Sequence, residues 1–203
     1  ALTFAVIAPF INTSVLAQED NQLPFIEEIL ITGSTEKINR LPGSAHYIDS
    51  EQLAVFAYSD VQRIAREIPG VSIQVEDGYG LRPNISIRGV ATERSSRITL
   101  LEDNVLIAPA PYAAPSAYYF PTAGRFAGFE VVKGPAAITQ GPLTIGGAMN
   151  MISTPIPQSN QGNLMVEGGE DATYRMHATY GGYNQEGLGF LVETHQWRSD
   201  GFQ

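Results

Sequence analysis

At 203 residues the chain has room for one large or two small domains. Hydrophobic residues make up 43 % of it, enough for a sizeable core, while a formal net charge of −9 argues against non-specific nucleic-acid binding, which needs a basic face. There is no cysteine, so disulfides, thiolate metal sites and cysteine nucleophiles are excluded.

The first residues read as an export signal. Ala1 to Ile11 is almost wholly apolar, and Val15-Leu16-Ala17 before Gln18-Glu19-Asp20 suits cleavage after Ala17. The basic leader and initiator Met are missing, so residues 1–17 read as the remnant of a clipped signal peptide. Residues 18–40 form an N-terminal tail in which Phe25 to Gly33 is apolar, partly β-branched and prefers extended structure.

A compact part is expected over 41–155. Ala45 to Ile48 reads as a strand, and Ser50 is placed to cap a short helix from Glu51. Val61, Ile64, Ala65 and Ile68 fall at helical spacing behind Ser59 or Asp60, with a stop at Pro69-Gly70. Val71 to Val75 and Ile85 to Gly89 alternate as strands, the second carrying Arg88 on the face opposite Ile85 and Ile87. Ile98–Leu101 and Val105–Ile107 form a hairpin around Glu102-Asp103-Asn104, whose acids read as solvated. Ala108 to Gly124 is a long Pro-rich loop, and Phe129–Val132 and Ala148–Ile152 are strands. Short helices mixed with short strands make this an α+β domain.

The pattern changes after Pro157. Asn163–Glu167, Thr173–Tyr180 and Leu188–Trp197 alternate between faces, with Arg175, His177 and Thr179 opposite Tyr174, Met176, Ala178 and Tyr180, and Glu193 and His195 opposite Phe190 and Val192. Two readings stand: the first strands of a transmembrane β-barrel, or an antiparallel sheet of a soluble domain. No run reaches the roughly 20 apolar residues that a transmembrane helix needs. In the barrel reading residues 156–203 are an incomplete barrel start, because two or three strands cannot close, and a C-terminal continuation is expected.

Catalytic patterns are not found. His46, His177 and His195 show no metal-binding spacing, no G-x-S-x-G elbow occurs, and Gly141 to Gly147 lacks the Lys of a phosphate loop. The expectation is no enzyme, no metal ligand and no cofactor. Residues 82–97 hold four arginines (82, 88, 94 and 97) against one acid, Glu93, in an otherwise acidic chain. Guanidinium forks suit carboxylate recognition, so Arg94 and Arg97 stand between ligand contact and solvation, whereas Arg88 is expected to pair internally. Tyr112, Tyr118 and Tyr119 sit in the Pro-stiffened loop, which reads equally as a ligand platform or as packing on its own scaffold.

Ile87-Arg88-Gly89, Glu130-Val131-Val132-Lys133-Gly134-Pro135 and Gly146-Gly147-Ala148-Met149-Asn150-Met151-Ile152, in this order, resemble the plug domain of the TonB-dependent outer-membrane receptors. Glu28-Ile29-Leu30-Ile31-Thr32-Gly33 is similar to the family's TonB box. The resemblance implies an α+β plug followed by the first antiparallel strands of a truncated transmembrane β-barrel, in the outer membrane of a Gram-negative bacterium. It implies TonB binding through Glu28, Ile29, Leu30, Ile31 and Thr32 by strand addition to the TonB periplasmic domain. Plug–barrel contact falls to Arg88, Glu130 and Lys133. Arg82-Pro83-Asn84-Ile85, Leu100 to Asp103 and Ala110 to Pro121 look most like ferric-citrate receptors, with iron present only as part of the bound chelate. Another siderophore, cobalamin or a saccharide remains an alternative ligand, as does a non-transporting binding module.

Overall fold

The computed structural model describes residues 43–56, 61–76, 80, 82–108, 120, 121, 123–141 and 144–201. The export signal, the box at Glu28–Thr32, the caps Ser59 and Asp60, and Tyr112, Tyr118 and Tyr119 lie outside them.

The main sheet is mixed. Its strands are β1 (Ser44–Ile48), β4 (Ile98–Glu102), β5 (Val105–Ala108), β6 (Phe126–Lys133) and β7 (Gly147–Ser153), in the order β1-β6-β7-β4-β5. Only β4 and β7 run parallel; the other neighbours are antiparallel. A separate pair, β2 (Val71–Ile73) and β3 (Ile85–Ile87), is antiparallel. Strand β6 extends beyond the span expected from sequence because both of its edges are paired, to β1 on one side and β7 on the other.

The core lies on one face of this sheet. Ile48, Ile98, Leu100, Phe129, Val131, Met149 and Met151 project there against Ile64, Ala65 and Ile68 and against Ile85 and Ile87. The opposite face is buried too, although it carries Thr99, Glu130 and Asn150. Burying polar groups costs free energy unless they are hydrogen-bonded, so these positions form a network rather than more core.

Two helices support the core face. The first, α1 (Ser50–Phe56), is capped by Asp49 and not by Ser50. The Gln52 amide donates to Asp49 Oδ1 at 2.9 Å, and the Asp49 amide donates back to Gln52 Oε1 at 3.3 Å. This reciprocal capping box satisfies two end donors at once. The second, α2 (Val61–Arg66), buries Ile64 and Ala65 and ends in a turn through Gly70 at φ 80°. The β4–β5 hairpin closes through Asp103 and Asn104, both at positive φ (48° and 65°), the backbone that matches the twist of a two-residue hairpin.

Arg88 is not on a strand. β3 stops at Ile87, and Arg88 turns at φ 55°, its amide bonded to the Gly70 carbonyl at 2.8 Å. Ser86 is buried as well as Ile85 and Ile87, so both faces of this short strand are covered.

Beyond the main sheet a three-stranded antiparallel meander follows: β8 (Gln161–Gly168), β9 (Tyr174–Tyr183) and β10 (Gly189–Arg198). Register places Leu164, Val166, Tyr180, Phe190 and Val192 on one exposed face and Glu167, Arg175, His177, Glu193 and His195 on the other. An uncovered apolar face beside a polar one is the pattern of a barrel wall. None of the described helices is long and apolar enough to cross a membrane.

Candidate functional site

The arginine-rich segment is organised around a carboxylate outside it. Glu76 takes a two-pronged ion pair from Arg94, with Nη2 at 2.8 Å from Oε1 and Nη1 on Oε2. Arg82 Nη1 lies 3.2 Å from Oε1, and Asn84 Nδ2 donates to Oε2 at 2.9 Å. The Arg94 hydrogen bond first, then that of Asn84, brings the Glu76 carboxyl down to about 2. The turn is fixed from behind: the Arg94 amide donates to Asn84 Oδ1 at 2.8 Å, and Ser95 Oγ links the Pro83 carbonyl to the Ile85 amide. Arg94 and Ser95 both adopt positive φ, a strain held by these bonds. Gln74, Val75, Glu76, Asn84, Glu93 and Arg94 line an open cavity of about 300 Å³.

Arg97 is exposed at the start of β4, and its carbonyl accepts the Gly146 amide at 3.0 Å. The hairpin acids are partnered, although Asp103 is exposed as expected: Glu102 pairs with Arg125, and Asp103 accepts the Ser153 amide at 3.0 Å and the Ser153 hydroxyl.

The three motif residues Arg88, Glu130 and Lys133 separate into two places. Glu130 is 1 % exposed on the polar face, paired in register with Tyr47 and Asn150, and accepts from Asn150 Nδ2 at 3.3 Å. Burial and then the Glu130 charge push the Tyr47 hydroxyl up. Lys133 points to the core face, where Nζ donates to the Pro69 carbonyl at 2.5 Å, closing the turn after α2. The exposed Arg88 guanidinium occupies the space a β-carbon on Gly134 would take. Burial, then the Arg88 charge, lowers the Lys133 ammonium, and Lys133 in turn helps burial to lower His46. Among the described residues neither Arg88 nor Lys133 has a carboxylate at ion-pair distance.

One polar cluster was not foreseen from sequence. Glu193 on β10 accepts from His177 Nε2 at 2.7 Å and from the Thr154 hydroxyl at 2.9 Å. His195 lies edge-on to His177, 5.9 Å between ring centres, and fills the space above Gly124. Strand alternation put Glu193 and His195 on one face, but nothing local linked them to Thr154. Among the described residues no group of His, Asp and Glu has the geometry to hold a metal ion.

Residues 37–148, more than half of the chain, match the model of the TonB-dependent receptor plug domain. The chain belongs to the TonB-dependent receptors. Its main sheet with the β2–β3 pair is the plug, and β8–β10 are the first antiparallel strands of the barrel. Among solved structures, the unliganded ferric citrate transporter FecA is 25 % identical with a TM-score of 0.69, over 81 % of this chain and 27 % of that one. The ferric enterobactin receptor PfeA of Pseudomonas aeruginosa is 26 % identical with a TM-score of 0.60, over 78 % and 25 %. Among curated relatives, the vitamin B12 transporter BtuB of Photobacterium profundum is 22 % identical over 94 % of this chain and 31 % of its own length. The iron-regulated outer membrane virulence protein of Vibrio cholerae is 25 % identical over 76 % and 24 %. The chain therefore spans between about a quarter and a third of the relatives it matches.

Proposed function

We propose that this chain is the gate of an outer-membrane transporter of a Gram-negative bacterium, exported by the signal at residues 1–17, which takes up an iron chelate of the ferric-citrate kind. The observation that carries this reading is a plug fold running directly into wall strands with an exposed apolar face suited to lipid. TonB binds Glu28–Thr32 by strand addition and pulls on the plug. Arg97, Tyr112, Tyr118 and Tyr119 contact the chelate, the arginine through its carboxylates, while Arg94, whose Nη1 and Nη2 are held by Glu76, fixes the turn that leads to Arg97. Arg88 and Lys133, adjacent cations with no carboxylate beside them among the described residues, meet acidic groups of the barrel wall, and Glu130 braces the sheet behind them.

The likeness to FecA supports the ferric-citrate ligand, and the 94 % coverage against BtuB supports cobalamin as a second reading. Growth of a strain lacking its other iron receptors, with ferric citrate as sole iron source, tests the first. Rescue by the complete receptor, dependent on TonB, is the expected result. Failure there with restored cobalamin uptake would favour the second.

A further inference from the structure

We propose that the plug is moored to the barrel wall at one fixed joint. Thr154 and the Gly124–Arg125 turn form its plug side; His177, Glu193 and His195 form its wall side. This deepens the gating reading above and rests on it. Two contacts cross the joint, one a hydrogen bond and one of shape, and each side is braced internally. Glu193 Oε1 accepts both the Thr154 hydroxyl at 2.9 Å and His177 Nε2 at 2.7 Å. The Thr154 amide donates to the Arg125 carbonyl at 3.2 Å, so the bond that reaches Thr154 also holds the turn before β6. Gly124 supplies shape: a β-carbon there would overlap the His195 ring, so only glycine lets the turn lie against the wall. Arg125 also pairs with Glu102, which extends the hold into β4.

Topology argues that this joint stays closed while other parts of the plug move. β1, the first strand of the sheet in the chain, lies at the sheet edge, whereas β7, which ends just before Thr154, lies between β6 and β4. Tension applied to the N-terminal tail reaches β1 first and can peel it from β6 without disturbing β7. Only residues 155–160, with prolines at 155 and 157, separate Thr154 from β8. Six residues span at most roughly 20 Å even when extended, and the prolines stiffen them. Thr154 is thus tethered beside the wall by covalent chain and held on it by Glu193.

Cysteine pairs in the complete receptor test the joint. Thr154→Cys with Glu193→Cys, oxidised, should keep energised uptake within about twofold of the reduced form. Ala45→Cys with Val132→Cys, which staples β1 to β6 across a register pair, should lower uptake tenfold or more, reversibly. Loss of uptake in the oxidised Thr154–Glu193 pair, restored by reduction, would overturn the proposal. If the reduced receptors transport nothing, it is the transport reading that has failed, and amide exchange decides the joint by itself. Glu193→Ala should speed exchange of the Thr154 amide at least tenfold while β4–β7 amides stay protected. Unchanged Thr154 exchange would overturn the joint.

Discussion

Asn150 and Asn104 hold each other across the plug sheet. The Asn104 amide donates to Asn150 Oδ1 at 3.0 Å, and Asn150 Nδ2 donates to Asn104 Oδ1 at 3.2 Å. The same Nδ2 group reaches Glu130 at 3.3 Å, so one buried amide ties the β4–β5 hairpin to β7 and β6. Leucine has a similar volume but none of these bonds. Asn150→Leu should therefore destabilise the plug by about 1–3 kcal/mol, the usual cost of stripping partners from buried polar groups. Urea titration of the receptor, followed by protease cleavage within the plug, measures this, and an unchanged midpoint would contradict the network.

Glu76 predicts a pH window. The Arg94 guanidinium holds its folded carboxyl at about 2, below the ordinary 4.5 of a glutamate, so the ionised form is favoured by folding. The stabilisation is complete above about pH 4.5 and is lost as pH falls toward 2. Thermal unfolding of the receptor between pH 5 and 2 should show a steeper loss for wild type than for Glu76→Gln. Parallel curves would mean that Glu76 carries no depressed titration.

Two glycines should respond differently to alanine. Gly147 sits at φ 146°, and a β-carbon there would overlap the Val132 carbonyl oxygen across the β6–β7 pair. Gly70, at φ 80°, has open space around it. Gly147→Ala combines strain with a backbone clash in the sheet, while Gly70→Ala meets only the left-handed penalty of about 1–2 kcal/mol. The first should lower the melting temperature of the plug more than the second; the reverse order would refute this packing.

Arg88 and Lys133 bear on gating. Replacing both by alanine should lower energised uptake at least tenfold while the receptor still reaches the membrane. Lys133→Ala alone also removes the bond to the Pro69 carbonyl, at a cost of about 1 kcal/mol. Whole-cell uptake alongside surface labelling separates lost gating from lost receptor, and wild-type uptake in the double variant would remove these residues from the wall contact.

Local signals made much of the fold legible. The three- and four-residue spacing of Ile64, Ala65 and Ile68 marks the buried face of α2, and Asp103-Asn104 between apolar runs marks the hairpin. The capping box was also written locally, as Asp49 with Gln52 three residues on, although Ser50 is the nearer cap to a helix beginning at Glu51. Arg88 could not be read this way, because its positive φ is set by a bond to the Gly70 carbonyl, distant in sequence. The excess of arginines over 82–97 pointed to an anion, but the structure supplies one in Glu76, 18 residues before Arg94. Thr154 and Glu193 lie 39 residues apart, and only the folded chain brings the plug exit and the wall together.

The central claim, a plug opened by TonB, is tested most directly by comparing binding with uptake in one variant. Ile29→Pro removes a backbone donor from the segment that strand addition requires. Cells carrying the complete receptor with this change should bind radiolabelled ferric citrate as wild type does, yet take it up at least a hundredfold more slowly. Uptake at the wild-type rate would contradict energised gating through Glu28–Thr32.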